Sequence, residues 1–313
     1  MDYKNRTIVT EFILAGLTES SELKSILFVL FFIIYSLTVL ENTALIALIS
    51  CDAQLYTPMY VFLRQLSVID ICYSSSVTIR MLMDFVSVKS SISVPGCSLQ
   101  MFFYAGFGGS ECFLLAAMSY DRYVAICHPL TYLQIINRKT VIILLILSHI
   151  GGFSNGLVQT SFSFFHLDFC ENSQAIHHFY CDVIALIEIS CGDTRLNEMV
   201  LFSLVGFIGL SSLFVILISY FCIIIAVLRI HSSKGRKKAF STCASHLTVV
   251  TLFYGTIIFM YLRPLSAYSP EQDKVIAVFY TVIIPFLNPL IYSLRNREVK
   301  NSAKKFGISI EPK

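Results

Sequence analysis

Two acidic residues, Asp70 and Glu111, lie in the middle of long apolar segments of this 313-residue chain. Carboxyl groups at such depths are costly to bury and are typical of ion sites, proton relays and polar contacts. At about 1.5 Å per helical residue, both acids fall in the same layer as Asn42 and Asn288. Two close carboxylates in a low dielectric cannot both stay charged without a proton or a cation between them. The sequence therefore leaves two interpretations open, a sodium or proton site and a neutral, hydrogen-bonded polar core.

Two further motifs occur at the ends of apolar segments and predict moving parts. Asp121 and Arg122 come at a membrane edge, where an adjacent acid can hold the arginine in a breakable ion pair. In the last segment a proline pair that includes Pro289 removes backbone donors, so this helix must kink, and Asn288 can satisfy a freed backbone group. The same segment ends in Tyr292.

Seven apolar segments must position these residues, and each is long enough to cross about 30 Å of hydrocarbon as a helix. They are residues 26–49, 58–86, 99–126, 141–158, 199–228, 239–262 and 275–294. Hydrophobic residues make up 56% of the chain and charged residues 14%, whereas a soluble domain is roughly 25% charged. The predicted fold is an all-α membrane protein, a seven-transmembrane helix bundle with a short cytoplasmic amphipathic helix after the seventh span.

Lysine and arginine predict the orientation, because cytoplasmic segments retain basic residues. With the amino terminus extracellular, the cytoplasmic segments hold twice as many basic residues as the outer ones. We therefore divide the chain into an extracellular segment 1–25, a membrane domain 26–294 with an outer loop 159–198, and a cytoplasmic tail 295–313. The sequon at Asn5 is then available for glycosylation. The net charge of +3 reflects topology and contact with the lipid bilayer, and it does not indicate nucleic acid.

Four of the ten cysteines fall on the outer side, where an oxidising compartment favours two disulfides, although four cysteines permit three pairings. They are Cys97, Cys170, Cys181 and Cys191. The adjacent His177 and His178 near Cys181 are not interpreted as a metal site, because a disulfide sulfur is a poor ligand.

Helical periodicity and depth predict a ligand cavity in the outer half of the bundle. Its candidate residues are Tyr104, Ala105, Gly108, Gly109, Val205, Ile208, Tyr254, Ile257, Ile258, Tyr261, Val278 and Thr281. The two glycines are expected to leave space there. The outer halves of the third and seventh helices carry no acid, so a buried ammonium would lack a counter-ion. The expected ligand is small, neutral and lipophilic, and is oriented by a tyrosine or threonine hydroxyl.

Several motifs together resemble one family over nearly the whole chain. They are residues 55–63, 66–70, 118–127 with Pro129 and Leu130, 219–220, 238–247 and 285–296. The chain resembles an olfactory receptor of the rhodopsin-like (class A) G-protein-coupled family, and residues 238–247 separate odorant receptors from other members. Three positions depart from the family pattern, since Glu41, Tyr56 and Ser119 stand where glycine, histidine and alanine are expected. Glu41 is the serious departure, because it places an acid near mid-membrane.

The resemblance implies disulfides Cys97–Cys181 and Cys170–Cys191, and a sodium-type ion site at Asp70 and Glu111, with no other cofactor. It also implies a multi-pass plasma-membrane receptor that binds volatile odorants, couples to a stimulatory G protein of the olfactory type and raises cyclic AMP. The residues expected to act in the switch or in G-protein coupling are Asp121, Arg122, Tyr123, Tyr220, Lys238, His246, Asn288, Pro289 and Tyr292.

Three other classes are weighed against this interpretation. A non-olfactory class A receptor for a small lipophilic ligand differs only in ligand. A transporter or channel needs repeated polar sites and an inverted repeat, which the sequence lacks. An enzyme needs a nucleophile beside a base, and His246 has no acid at its depth on its own helix, so we expect it to pack or to gate.

Overall fold

A computed structural model describes residues 9–87, 89–170, 174–230, 232–261, 269–295 and 297–305. The sequon at Asn5 lies outside the described residues. Lys238 lies on a helix segment whose side chains are not described. The helices, labelled α1 to α11, are Ser21–Cys51, Pro58–Val86, Val94–Cys127, Tyr132–Ile135, Arg138–Phe165, Val183–Glu188, Arg195–Leu228, Ser233–Tyr261, Pro270–Val278, Ile284–Arg295 and Arg297–Lys305.

Seven spans in the described residues are long and apolar enough to cross a membrane. They are Ser21–Cys51, Pro58–Val86, Val94–Cys127, Arg138–Phe165, Arg195–Leu228, Cys243–Tyr261 and Pro270–Ser293. The predicted seven-helix bundle is therefore confirmed, and so is the helix after the seventh span, which is α11. Most spans extend beyond the apolar segments because their ends carry polar residues that hydropathy alone leaves out. The fourth span, for example, begins at Arg138, where Asn137 accepts a hydrogen bond from the backbone N–H of Thr140 at 3.0 Å and so caps the helix.

A small sheet on the outer side was not predicted from the sequence. Its strands are β1 (Glu11–Leu14), β2 (Ser91–Ser93) and β3 (Ala175–Ile176). β1 pairs antiparallel with β2 and parallel with β3, so the amino-terminal segment joins two outer loops. Phe12 is fully buried within this arrangement.

Helix α3 occupies the centre of the bundle and packs against α2, α5, α7 and α8. Its contact with α5 depends on glycine, because a Cβ atom on Gly152 would lie 2.4 Å from the carbonyl oxygen of Gly106. A Cβ atom on Gly156 would meet the carbonyl oxygen of Phe102 at 2.6 Å. Only glycine permits backbones to approach so closely, and small residues at such interfaces are typical of membrane helices.

The seventh span is irregular, as its prolines predict. A π-helical turn at Phe279–Ile283 joins α9 to α10, and Pro289 lies inside α10. Pro289 has no N–H to donate to the carbonyl four residues earlier, which belongs to Pro285. Asn42 on α1 donates to that carbonyl at 3.1 Å. The prediction that Asn288 satisfies a freed backbone group was wrong, because Asn288 donates to Asp70 instead.

Candidate functional site

A cavity lies between α2, α3, α5, α7, α8 and the seventh span. Eight of the predicted residues line it, namely Tyr104, Ala105, Gly108, Gly109, Val205, Ile208, Ile257 and Tyr261. The sequence analysis missed six further lining residues, which are Tyr73, Cys112, Asn155, Gln159, Gly209 and Tyr280. Asn155 and Gln159 were missed because no residue of the fourth span was predicted to face the interior of the bundle. Polar residues within this apolar helix were a usable signal of its inward face.

Four predicted residues do not line the cavity. The side chain of Ile258 is 43% exposed on the bundle surface, and Val278 is only partly buried. Thr281 is buried and donates its hydroxyl to the carbonyl of Ala277 within its own helix. Tyr254 is buried and donates to Ser212 at 2.7 Å, so it ties α8 to α7. Periodicity identified an inner face for Tyr254 and Thr281 but did not separate cavity from helix contact, and the inner position predicted for Ile258 was wrong.

The two cavity glycines differ in role. A Cβ atom on Gly108 would meet only the ring of Tyr73, at 3.5 Å, which is an ordinary contact. On Gly109 it would lie 3.0 Å from the Cα atom of Gly152 on α5. Both glycines line the cavity, and the lack of a side chain at Gly109 also permits the close packing of α3 on α5.

The outer loop places a carboxylate behind the tyrosines that line the cavity. Asp182 is 1% exposed, and its Oδ2 accepts hydrogen bonds from Tyr104 at 2.8 Å and Tyr261 at 2.9 Å. The hydroxyl of Tyr180 also donates to Oδ2, at 3.2 Å, and the backbone N–H of Ile184 donates to Oδ1 at 2.9 Å. The sequence analysis considered acids only within the helices, so it missed this group.

Disulfides hold this loop in place. Cys181 is bonded to Cys97 at the start of α3, and Cys170 is bonded to Cys191. The backbone N–H of Cys181 donates to the side-chain oxygen of Gln100 at 3.0 Å. Because Asp182 follows Cys181 directly, the disulfide with α3 places its carboxylate beside Tyr104.

His178 lies in the same loop and is 1% exposed. Its ring contacts Phe179 and Tyr180, and neither ring nitrogen has a hydrogen-bond partner among the described residues. Burial lowers the pKa of His178 to about 4; the charge of Asp182 opposes this shift and that of Lys274 adds to it. The imidazole is therefore neutral at physiological pH.

The polar layer inside the bundle contains both expected acids. Asn288 donates to Asp70 Oδ1 at 2.9 Å and Oδ2 at 3.2 Å, and Asp70 is fully buried. Glu111 is 1% exposed, and neither of its carboxyl oxygens has a hydrogen-bond partner among the described residues. The two acids are close enough to interact electrostatically. Glu41, in the first span, has one buried carboxyl oxygen that likewise lacks a partner in the described part of the chain.

At the cytoplasmic end, the expected ion pair between Asp121 and Arg122 is not formed among the described residues. Asp121 instead accepts a hydrogen bond from Tyr132 at 2.7 Å, and Tyr123 contacts His128 at 3.1 Å. The structure therefore holds Asp121 through the helix α4 that follows α3, a contact the sequence analysis did not consider.

A buried histidine connects three helices near this end. His246 on α8 is fully buried, and its Nε2 lies 3.2 Å from the carbonyl oxygen of Leu115 on α3. A carbonyl only accepts, so Nε2 carries the proton and Nδ1 accepts from Tyr220 of α7 at 2.8 Å. Tyr292 is also buried, and its hydroxyl has no partner among the described residues. These contacts agree with the packing expected for His246, and gating stays a prediction.

Helix α11 is attached to the cytoplasmic ends of the first two spans. Asp52 is buried and accepts from Ser302 at 2.6 Å and from Lys305 at 3.5 Å. Tyr60 donates to Glu298 at 2.6 Å. The hydrogen bond from Ser302, with help from the backbone N–H of Gln54, lowers the pKa of Asp52.

The fold is shared with a solved structure. The crystal structure of squid rhodopsin matches with a TM-score of 0.64 and 17% sequence identity, over 91% of this chain and 85% of that one. The arrangement of helices is thus that of squid rhodopsin.

Sequence comparison identifies the family. The sequence pattern of the olfactory receptor family matches residues 31–308. Olfactory receptor 5AP2 of Mus musculus is 52% identical over 96% of this chain and 95% of its own length. Olfactory receptor 5AR1 of Homo sapiens is 49% identical over 97% of this chain and 98% of its own length. The chain belongs to the olfactory receptor family of G-protein-coupled receptors. It is accordingly a multi-pass plasma-membrane protein and not an enzyme.

Proposed function

We propose that this receptor binds small, neutral, lipophilic odorants in the cavity and activates a stimulatory G protein of the olfactory type, which raises cyclic AMP. The cavity carries the proposal, because its wall is largely aliphatic and aromatic with a few hydroxyl and amide groups, as is typical of small-molecule sites. Asp182 does not favour a cationic ligand, because it does not line the cavity and the hydroxyls of Tyr104 and Tyr261 lie between its carboxylate and the ligand.

The test is a cyclic AMP measurement in cells that express the receptor, across a panel of neutral volatile compounds. Active compounds should lose their effect in cells without the stimulatory α subunit and regain it when the olfactory α subunit is supplied. A response that persists without any stimulatory subunit would contradict the proposed coupling. Compounds that act only when charged would contradict the proposed ligand class.

A sodium ion in the polar layer is part of the same proposal. Asp70 and Glu111 supply carboxylate oxygens, and the unpartnered oxygens of Glu111 and of the Asn288 side chain suit a hard cation. Such an ion would offset one of the two negative charges, and a proton on one carboxyl group would remove the other. The described residues contain no group of three or more His, Cys, Asp or Glu that could hold a metal, so a tightly chelated transition metal is not proposed.

The switch is assigned to the residues around the cytoplasmic end of α3. The hydrogen-bond chain from Tyr220 through His246 to Leu115 joins α7, α8 and α3, and Arg122 lies on the same end of the bundle. We propose that activation separates α8 from α3 and breaks this chain, so the contact favours the inactive arrangement. Receptor activity without ligand in a His246→Leu variant tests this role, and basal activity no higher than in the parent would oppose it.

A further inference from the structure

Tyrosine hydroxyls form the outer end of the cavity. Tyr104, Tyr261 and Tyr280 line it, and the carboxylate of Asp182 lies behind them, shielded from solvent. The hydroxyl oxygens of Tyr104 and Tyr261 are 2.6 Å apart, and those of Tyr261 and Tyr280 are 3.4 Å apart. Tyr280 also contacts the hydroxyl of Tyr180. We call Asp182 with these four tyrosines the outer cluster.

The hydroxyl protons of the outer cluster are all committed inside it. Each tyrosine has one hydroxyl proton to donate, and an ionised carboxylate only accepts. Asp182 accepts hydrogen bonds from the hydroxyls of Tyr104, Tyr180 and Tyr261. Tyr280 donates to Tyr180 or Tyr261. Because Tyr180 donates to Asp182, the proton of Tyr280 is used within the outer cluster, and the oxygens of this cluster offer lone pairs to the cavity. Tyr73 also lines the cavity but is not part of the outer cluster.

We propose that the outer cluster binds the hydroxyl group of an aliphatic alcohol, which donates a hydrogen bond to the oxygen of Tyr104, Tyr261 or Tyr280. This inference rests on the proposed function and narrows its ligand class. An ether or carbonyl oxygen at the same place would face the tyrosine oxygens without a proton between them. The buried acceptor atoms would then lack hydrogen bonds. An ammonium group would also donate, but it would lose its hydration without reaching a free carboxylate oxygen.

The first experiment measures binding without a G protein. Purified receptor in detergent is titrated with an alcohol, with its isomeric methyl ether, and with the aldehyde and primary amine of the same chain length, and the thermal stabilisation gives apparent dissociation constants. We expect the dissociation constant of the alcohol to be lower than that of the ether by about fivefold or more, which is the effect of one hydrogen bond. The ether partitions better into apolar sites, so partitioning alone would give the opposite order. Equal or tighter binding of the ether, the aldehyde or the amine, or no stabilisation by any alcohol, overturns the proposal.

Two variants test whether the outer cluster causes this preference. Tyr261→Phe removes one acceptor oxygen, so the ratio of ether to alcohol dissociation constants should fall toward one. Asp182→Asn supplies an amide that donates to the tyrosines and frees a hydroxyl proton for the cavity, so the ether and the aldehyde should bind more tightly than in the parent. Tyr35→Phe is the matched control, because the hydroxyl of Tyr35 contacts Ser75 at 2.9 Å between α1 and α2.

The control should keep the parental ratio. A ratio unchanged by Tyr261→Phe overturns the proposal even if Asp182→Asn does not fold. Failure of this inference can be distinguished from failure of the proposed function. A receptor that binds alcohols selectively and raises no cyclic AMP contradicts only the proposed G-protein coupling. A receptor that raises cyclic AMP equally with isomeric alcohols and ethers contradicts only the present inference.

Discussion

The side chain of Asn288 on the seventh span donates to both carboxylate oxygens of Asp70 on the second, at 2.9 and 3.2 Å. This contact ties the proline-interrupted helix to the interior acid, while the nearby Glu111 keeps two carboxyl oxygens unpartnered among the described residues. The proposed sodium ion and a neutral layer with protons on the acids are two states that an experiment can separate.

The double variant Asp70→Asn with Glu111→Gln should remove any dependence of activation on sodium concentration. Both replacements keep the size of the side chain and remove the negative charge that would attract the ion. The measurement is the odorant concentration for half-maximal cyclic AMP in sodium and in choline medium. A parent receptor indifferent to sodium would favour the neutral polar core.

Arg122→Ala should abolish odorant-stimulated cyclic AMP and leave surface expression largely intact. Arg122 makes no ion pair with Asp121 among the described residues and lies at the cytoplasmic end, remote from the cavity lining. Its loss therefore removes a G-protein contact rather than a structural one. Surface labelling of intact cells measures expression, and odorant binding to purified variant should match the parent. A normal cyclic AMP response would remove Arg122 from the switch.

Gly109→Leu should reduce the amount of folded receptor. Its side chain would enter the backbone contact between α3 and α5, where even a Cβ atom lies 3.0 Å from Gly152, and overpacking of this kind costs about 1–3 kcal/mol or more. Surface expression and thermal stability measure the effect. Gly108→Ala is the matched control, since its added methyl meets only the Tyr73 ring at 3.5 Å. We expect that control to fold normally and to alter odorant potency.

The sequence predicted those features that depend on composition and on contacts near in the chain. Seven apolar segments gave the bundle, and the depth of Asp70 and Asn288 placed both in one layer, where they are hydrogen-bonded. The cavity lining was predicted in part. Helical periodicity shows which face of a helix points inward, but it does not show which neighbouring helix packs against that face. Gly109 illustrates the limit, since its neighbour Gly152 belongs to another span.

The outer loop could not be predicted because its contacts are long-range. Asp182 meets Tyr104, 78 positions earlier, and Tyr261, 79 positions later, and only a folded chain brings the three together. The continuous apolar run Val183–Ile187 indicates burial but does not show which residues it contacts. The family resemblance implied the disulfide at Cys181, and the combination of that bond with an acid at the next position was the available signal.

Acidification should destabilise the outer loop through His178. Burial lowers the pKa of His178 from its ordinary value near 6.5 to about 4, so between these pH values the unfolded loop binds a proton that the folded loop does not. The contribution of neutral His178 to the free energy of unfolding is therefore fully present above about pH 6.5. It is lost as the pH decreases toward 4, and the total loss for this group is about 3 kcal/mol. The thermal stability of purified receptor across this pH range measures the change.

His178→Phe should flatten this pH dependence, because phenylalanine keeps the ring contacts with Phe179 and Tyr180 and has no proton to gain. The adjacent His177 is exposed, so His177→Phe is the matched control and should retain the parental pH profile. Asp182 and Lys274 also act on His178, and the profile must be compared at constant ionic strength to keep their effect fixed. If both variants lose stability on acidification as steeply as the parent, the sensitivity belongs to another group.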